Sequence, residues 1–326
     1  MSNSIEALRK YNISEKDIEK LKTIGITSIQ GLYMTSRKSI LNIKGFTEKK
    51  VKNIFNEANK VEPYGFFQNG KEFNKEREDT IYKIPTGSKN LDNIIEGGLE
   101  SNSINEIIGE GNTNISEFIH ILSINALKLR NKIIFFDLNN TFNKEKIQLY
   151  AKGMNMNGKK CLENFQLIKD IALFDELIDE LDVITYDTQN TNCSLIIIDS
   201  LITIFQKLFK DSINNQNNKE IKSELEIKYE IESKLGQVLI MLKRISHLYN
   251  IPIVITRYIN NENTEQQNDL IKSDPNIEII LNYECKTRLK FKKIKNDKIK
   301  CIILNSPMIS EKDCKFIITE KGILDC

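Results

Sequence analysis

The chain has no tryptophan among its 326 residues, only five prolines and two histidines, and none of its six cysteines stands in a CxxC pair. Cys161, Cys193, Cys285, Cys301, Cys314 and Cys326 are scattered, and His120 lies far from His247. Neither a zinc spacing nor a disulfide framework is therefore written into the sequence. Strong charge of one sign is also missing, since 47 Lys and Arg against 45 Asp and Glu leave +2. No global basic field announces nucleic acid, so any such contact must come from local patches. No apolar run reaches the ~20 residues of a membrane-crossing helix, and Met-Ser-Asn-Ser-Ile-Glu at the start lacks the basic-then-apolar shape of a secretory signal. A soluble intracellular protein without a membrane partner is expected. The excess of Asn, Lys and Ile is a compositional bias that carries no chemistry.

One further absence matters more. Gly109-Glu110-Gly111-Asn112-Thr113-Asn114-Ile115-Ser116 follows a short apolar strand, Ile104 to Ile108, and precedes an apolar-periodic segment with Phe118, Ile119, Leu122, Ala126 and Leu127. That is the strand, loop and helix setting of a phosphate-binding loop, G-x4-G-K-[ST], in which backbone N–H groups surround the phosphates and a lysine meets the outer ones. Here Ile115 holds the lysine position and Asn114 that of the second glycine. Isoleucine offers neither charge nor donor, so the charge developing in phosphoryl transfer loses its principal cation. Asn tolerates positive φ, which lets the loop keep its shape. Ser116 retains a hydroxyl where Mg2+ is held. A weakened nucleotide site follows, with a Gly/Asn-rich loop that binds nothing as the alternative.

The length leaves room for one large core and a small satellite. Residues 5 to 60 carry short helical patterns (Ile18, Leu21 and Ile24 before Gly25; Ile29 to Leu32; Ile40-Leu41; Val51 to Ile54). Between the last two, Asn42-Ile43-Lys44-Gly45-Phe46-Thr47-Glu48 reads as a tight turn with Thr47 as N-cap, a helix-hairpin-helix shape. Such a turn presents N–H groups to a DNA phosphate, with Lys44, Lys49 and Lys50 adding countercharge. A bundle that only contacts protein is the alternative. The stretch from Glu62 to Tyr82 is polar and reads as a linker. Beyond it apolar strands (104–108, 133–137, 165–168, 195–199, 251–256) alternate with helices near 116–129, 143–151, 173–186 and 224–249, the signature of a parallel sheet covered on both faces. Lys286 to Lys293, Lys298 to Leu304 and Cys314 to Ile318 are shorter and joined by hairpin-like turns, which predicts an antiparallel extension.

Taken in order, Leu41 to Gly45, Thr86-Gly-Ser-Lys89 with Leu91-Asp92 and Gly97-Gly98, Asp137 with Thr141-Phe142, Leu162 to Asn164, Leu195 to Ser200, Ile253 to Thr256, Thr287-Arg-Leu289 and Asn305-Ser-Pro307 resemble the eukaryotic and archaeal RadA-type branch of the RecA DNA strand-exchange recombinases. The resemblance covers nearly the whole chain. It implies an α/β fold: a RecA-like P-loop NTPase core (84–326), mostly parallel with an antiparallel C-terminal extension. A small all-α helix-hairpin-helix domain (1–62) precedes it, joined through a linker and polymerisation segment (63–83). It also implies ATP and Mg2+, here weak or vestigial, and single- and double-stranded DNA as partner. The expected work is homologous recombination, meiotic included, and double-strand-break repair in the nucleus.

Checked against the family pattern one position at a time, Asp199 matches the strand-terminal aspartate that with Ser116 holds Mg2+. Asn139 replaces the glutamate that activates the attacking water, a loss of roughly two to four orders of magnitude in base assistance. Tyr258 replaces the glutamine that senses the γ-phosphate. The family's two DNA loops correspond to Lys207–Lys222, longer than the family's and without its Arg-Gly character, and to Asn260–Asn276, which has little positive charge and no glycine. A second basic candidate is Lys286, Arg288, Lys290, Lys292 and Lys293, although strand lysines also serve simply to block edge aggregation. Family members polymerise through a Phe-x-x-Ala segment, where this chain has Phe66 and, at the alanine position, Asn69. The expectation is a mediator-like paralogue with hydrolysis lost or strongly impaired, acting with itself or with a functional recombinase. A working ATP-dependent strand-exchange enzyme and a scaffold without nucleotide or DNA are the alternatives.

Overall fold

The computed structural model describes residues 4–63, 69–110, 113–186, 192–214, 223–259, 275–306 and 312–326. The chain divides into two units, residues 1–81 with 181–191, and residues 82–180 with 192–326.

In the first unit a short 3-10 helix (Ile5–Tyr11) is followed by α1 (Glu15–Thr23), α2 (Ile29–Met34), α3 (Arg37–Leu41), α4 (Glu48–Val61) and α5 (Gly70–Thr80). Helices α1 to α4 each begin on a hydroxyl: Ser14, Ser28, Ser36 and Thr47 accept from the N–H groups of Asp17, Gly31, Ser39 and Lys50. Each such cap satisfies a backbone donor that the first helical turn leaves open. Ile5, Leu8, Ile18, Leu21, Ile29, Leu32, Ile40, Val51, Ile54 and Ala58 form the core of this unit. Gly45 sits at φ +92 in the turn between α3 and α4, a conformation in which a side chain would be strained. Helix α5 occupies part of the stretch read as linker, because Lys, Glu and Arg are strong helix formers even without an apolar stripe.

The second unit opens with β1 (Lys83–Ile84), α6 (Lys89–Ile94) and β2 (Leu99–Glu100), with β1 and β2 paired antiparallel. Then come β3 (Ser103–Glu110), α7 (Ile115–Leu127), β4 (Lys132–Asp137), α8 (Lys144–Gly153), α9 (Gly158–Glu163), β5 (Phe165–Ile168) and α10 (Phe174–Tyr186), whose residues from Leu181 on are counted with the first unit. They are followed by β6 (Cys193–Asp199), α11 (Leu201–Asn214), α12 (Glu224–Tyr249), β7 (Pro252–Ile259) and α13 (Pro275–Glu284). The hairpin strands β8 (Thr287–Lys293), β9 (Ile299–Asn305), β10 (Asp313–Thr319) and β11 (Gly322–Asp325) complete it. Among the described residues they build a sheet of nine strands in the order β11-β10-β9-β8-β3-β7-β6-β4-β5. The strands from β8 through β3, β7, β6 and β4 to β5 run parallel, and β8 to β11 are antiparallel. This is the α/β architecture expected: β6 is buried throughout, as a strand covered on both faces must be.

Two differences from the expected layout bear on the site. Lys207, taken as the start of a DNA loop, lies inside α11, where Leu201, Ile204, Phe205 and Phe209 are buried at helical spacing. The expected loop is helical as far as Asn214, and its remainder (215–222) and most of the second loop (260–274) fall outside the described residues. Pairings Gly109↔Tyr258 and Asp137↔Asp199 bring the ends of β3, β7, β4 and β6 to one edge of the sheet. Ligands of open α/β sheets bind outside the carboxyl ends of such strands.

Candidate functional site

The loop after β3 keeps the expected shape at its close. Asn114 is left-handed, at φ 53 and ψ 37, and stands as N-cap of α7 without using its side chain to cap. Gly111 and Asn112 lie outside the described residues. Ile115 does not point outward as a phosphate-binding lysine would. It is 1% exposed and belongs to the core that also holds Phe118, Ile119 and Leu122. Its Cδ1, with Thr113 Oγ1, closes over Gly109 so tightly that a Cβ there would overlap both. The position that carries the cation in an active loop has become a packing position.

Asp199, at the end of β6, is fully buried, and both its carboxylate oxygens already accept hydrogen bonds. Thr256 donates to Oδ1, while Thr141 and Tyr258 donate to Oδ2, the tyrosine from 3.3 Å. Burial pushes the Asp199 carboxyl above its usual range, against the three hydroxyls that favour its charged form. The Tyr258 hydroxyl also lies 3.0 Å from Ser116 Oγ, at the start of α7. Burial followed by the neighbouring Asp199 charge raises the Tyr258 phenol, which therefore stays protonated. Asn139 is engaged as well, its Oδ1 accepting from Thr203 Oγ1 at 2.6 Å. Asp137 holds the turn beneath it by accepting from the N–H groups of Thr141 and Phe142.

These residues do not fit Mg2+-ATP as they stand. Phosphate has no ammonium to meet at Ile115, the general-base position carries an amide, and the two groups that should hold the metal are joined to each other through Tyr258. A hard divalent cation requires free oxygen ligands in near-octahedral array. Here those oxygens are satisfied by the protein's own donors.

The expected basic residues fall into two groups. Lys44 and Lys49 are exposed on the α3 to α4 turn and the first turn of α4. On β8, by contrast, Lys290 and Lys292 both meet Glu110 Oε1, at 2.5 and 3.0 Å, and Lys293 meets Asp297 at 2.8 Å, while Lys286, just before the strand, pairs with Glu100. Arg288 is not on the surface at all, being 2% exposed. Alternation along β8 puts Lys293 on the face opposite Lys290 and Lys292. Phe66 lies outside the described residues, and Asn69 is exposed just before α5.

Sequence reasoning missed an ionic cluster on the face of the sheet away from Tyr258. Glu106 on β3, 1% exposed, receives Arg257 Nε at 2.9 Å and Arg288 Nε at 2.5 Å, and both arginines reach Glu278 on α13. Arg288 makes aligned hydrogen bonds, including one to Asn282, whereas the Arg257 N–H groups miss the carboxylates in direction and the attraction is Coulombic. Burial alone would raise the Glu278 carboxyl, but Arg257 and Arg288 hold it below its usual range. A glutamate inside Ile104-Asn-Glu-Ile-Ile and an arginine inside Ile255-Thr-Arg-Tyr258 were the available signal, since a charge within an apolar strand needs a partner. Thr141, Thr256 and Thr203 carried no comparable signal.

Comparison with known proteins agrees with this architecture. The family model described as Rad51 matches residues 76–326. The chain is 30% identical over 335 residues to the meiotic recombination protein DMC1/LIM15 homolog of Mus musculus, an alignment covering 98% of this chain and 92% of that protein. It is also 27% identical over 330 residues to the DNA repair protein RAD51 of Saccharomyces cerevisiae, covering 98% of this chain and 78% of that one. Sequence match and RecA-like sheet concur: the chain belongs to the Rad51 family.

Proposed function

We propose that this protein is a DNA-binding component of homologous recombination and double-strand-break repair whose nucleotide site no longer turns over ATP. The observation that carries this reading is the ring of contacts in which Tyr258 joins Ser116 to Asp199 while Ile115 is packed into the core. Loss of the lysine alone removes the cation that meets the developing charge, and Asn139 in place of a carboxylate removes the base. The relatives' names, a meiotic recombination protein and a DNA repair protein, support the process and with it a nuclear location. Contact with DNA is assigned to Lys44, Gly45 and Lys49, whose turn offers backbone N–H groups and exposed ammonium groups to phosphates. Of the remaining candidates, Lys290 and Lys292 share a carboxylate and contribute less. With Asn69 at the anchor position and Tyr258 tying Ser116 to Asp199 at the nucleotide site, assembly into long filaments of this chain alone is not expected. Its partner is then a functional recombinase of the same family.

One observation favours the second reading, an active strand-exchange enzyme: 30% identity along almost the whole chain to a recombination protein. The purified full-length chain, given ATP with and without single-stranded DNA, decides between them. Phosphate release at background level, with DNA retained on the protein, is expected. DNA-stimulated turnover overturns the proposal, and absence of both nucleotide and DNA binding leaves a scaffold.

A further inference from the structure

Tyr258 Oη stands 3.0 Å from Ser116 Oγ and 3.3 Å from Asp199 Oδ2. Its oxygen thus joins directly the loop hydroxyl and the strand-end carboxylate that, by resemblance to the family, a hydrated metal would join. We infer that Tyr258 is an internal substitute for that hydrated metal link, and that it sets the metal requirement of the site: this protein takes nucleotide, if weakly, without Mg2+. The inference rests on the proposed silent site, and extends it from the loss of hydrolysis to the way in which nucleotide is held.

Three features of the surroundings support it. Asp199 is completely buried, so an unsatisfied carboxylate there would be costly, and in a site emptied of metal something must donate to it. Thr141 and Thr256 already supply donors to both oxygens, so the tyrosine is not needed to satisfy the carboxylate alone. What Tyr258 adds is the link to Ser116, which ties the first turn of α7 to the end of β7 across the place where a ligand would otherwise make that connection. Metal entry must break this link, and the hydroxyl that it releases on Ser116 is the metal's own ligand.

Tyr258→Phe removes the bridging hydroxyl while leaving the ring and both threonine donors. Binding of a fluorescent N-methylanthraniloyl-ATP probe to the full-length protein, measured in Mg2+ and in EDTA, reads the effect. The wild type is expected to bind equally in both conditions. Y258F is expected to bind roughly three- to tenfold tighter in Mg2+ than in EDTA, the worth of one hydrogen bond no longer in the metal's way. Adding Ser116→Ala to Y258F should abolish that gain, which a general loosening of the loop would not do. Where Y258F does not fold, as checked by circular dichroism, Tyr258→Gln serves in its place. A wild-type protein that already prefers Mg2+ by the same factor overturns the inference. So does a Y258F protein that matches the wild type in both conditions, including failure of either to bind. ATP turnover is not read here, so the inference can fail while the proposed silence of the site stands.

Discussion

Restoring the missing lysine provides the sharpest test of what the loop has become. In Ile115→Lys the new ammonium cannot stay where the isoleucine is, packed over Gly109 and 1% exposed among Phe118, Ile119 and Leu122. It must swing into solvent, and the protein then loses the burial of one aliphatic side chain, about 1.5–3 kcal/mol, with a further cost for the space left behind. A total near 3 kcal/mol lowers the melting temperature by roughly 6–12 °C in a unit of this size. Ile115→Met, which keeps volume and apolarity, should cost less than about 1.5 kcal/mol. Since the chain contains no tryptophan, unfolding is best followed by far-ultraviolet circular dichroism in urea. Nucleotide should recover part of the loss by mass action, about 2.7 kcal/mol at a hundredfold excess over Kd, while turnover stays near background because Asn139 still lacks basicity. An I115K protein as stable as the wild type would falsify the packing role. One that hydrolyses ATP like a working recombinase would remove the basis for a silent site.

Three further outcomes follow from the same structure. Glu106→Gln leaves two buried arginines facing a single half-exposed carboxylate and should cost about 3–5 kcal/mol in urea unfolding, far more than Glu278→Gln; equal effects would refute the assignment of Glu106 as the centre of the cluster. Burial, and then Lys146, hold the His120 imidazole neutral with its pKa lowered to about 4, against about 6.5 when unfolded. The unfolded chain therefore binds the extra proton first, so about 3 kcal/mol of stability present above pH ~6.5 should drain away as pH falls toward 4, and His120→Met should flatten that slope. For DNA, Lys44→Gln with Lys49→Gln should weaken binding and reduce the log-log salt slope by about 2, whereas Lys290→Gln with Lys292→Gln, whose charges are shared with Glu110, should change it by less than 1.

The parts of this architecture that were legible in the sequence are those governed by local rules. Strands β3, β4, β6 and β7 announce themselves as apolar runs, α7 and α12 as periodic segments, and the left-handed Asn114 follows from its place in the loop pattern. Helix α11 was half hidden, because the Asn-rich stretch after it masked the periodicity of Leu201 to Phe209. The site was readable as a list of substitutions but not as an arrangement. That Ile115 turns inward depends on the packing of α7 against the sheet, and that Tyr258 meets both Ser116 and Asp199 depends on β7 pairing with β3, more than a hundred residues away in the chain. The Glu106 cluster likewise draws on β3, β7, α13 and β8, so no window of sequence contains it.

The place of β3 in the sheet also governs how the protein must be made. Its neighbours on either side are β7 and β8, beginning at Pro252 and Thr287, so a strand completed at Glu110 has no partner in the sheet until well over a hundred further residues exist. At ribosomal speeds of roughly 5–20 residues per second, that interval is about 7–30 s before β7 can arrive. Throughout it Ile104, Ile107 and Ile108, all buried in the finished protein, form an apolar ribbon with open backbone edges on the nascent chain. A strand of that kind is a site for wrong pairing with a neighbouring chain, and a sheet closed by such distant contacts forms slowly even after release. The yield of folded protein should thus depend on translation rate and on chaperones that shield β3, more than on the final stability of the sheet.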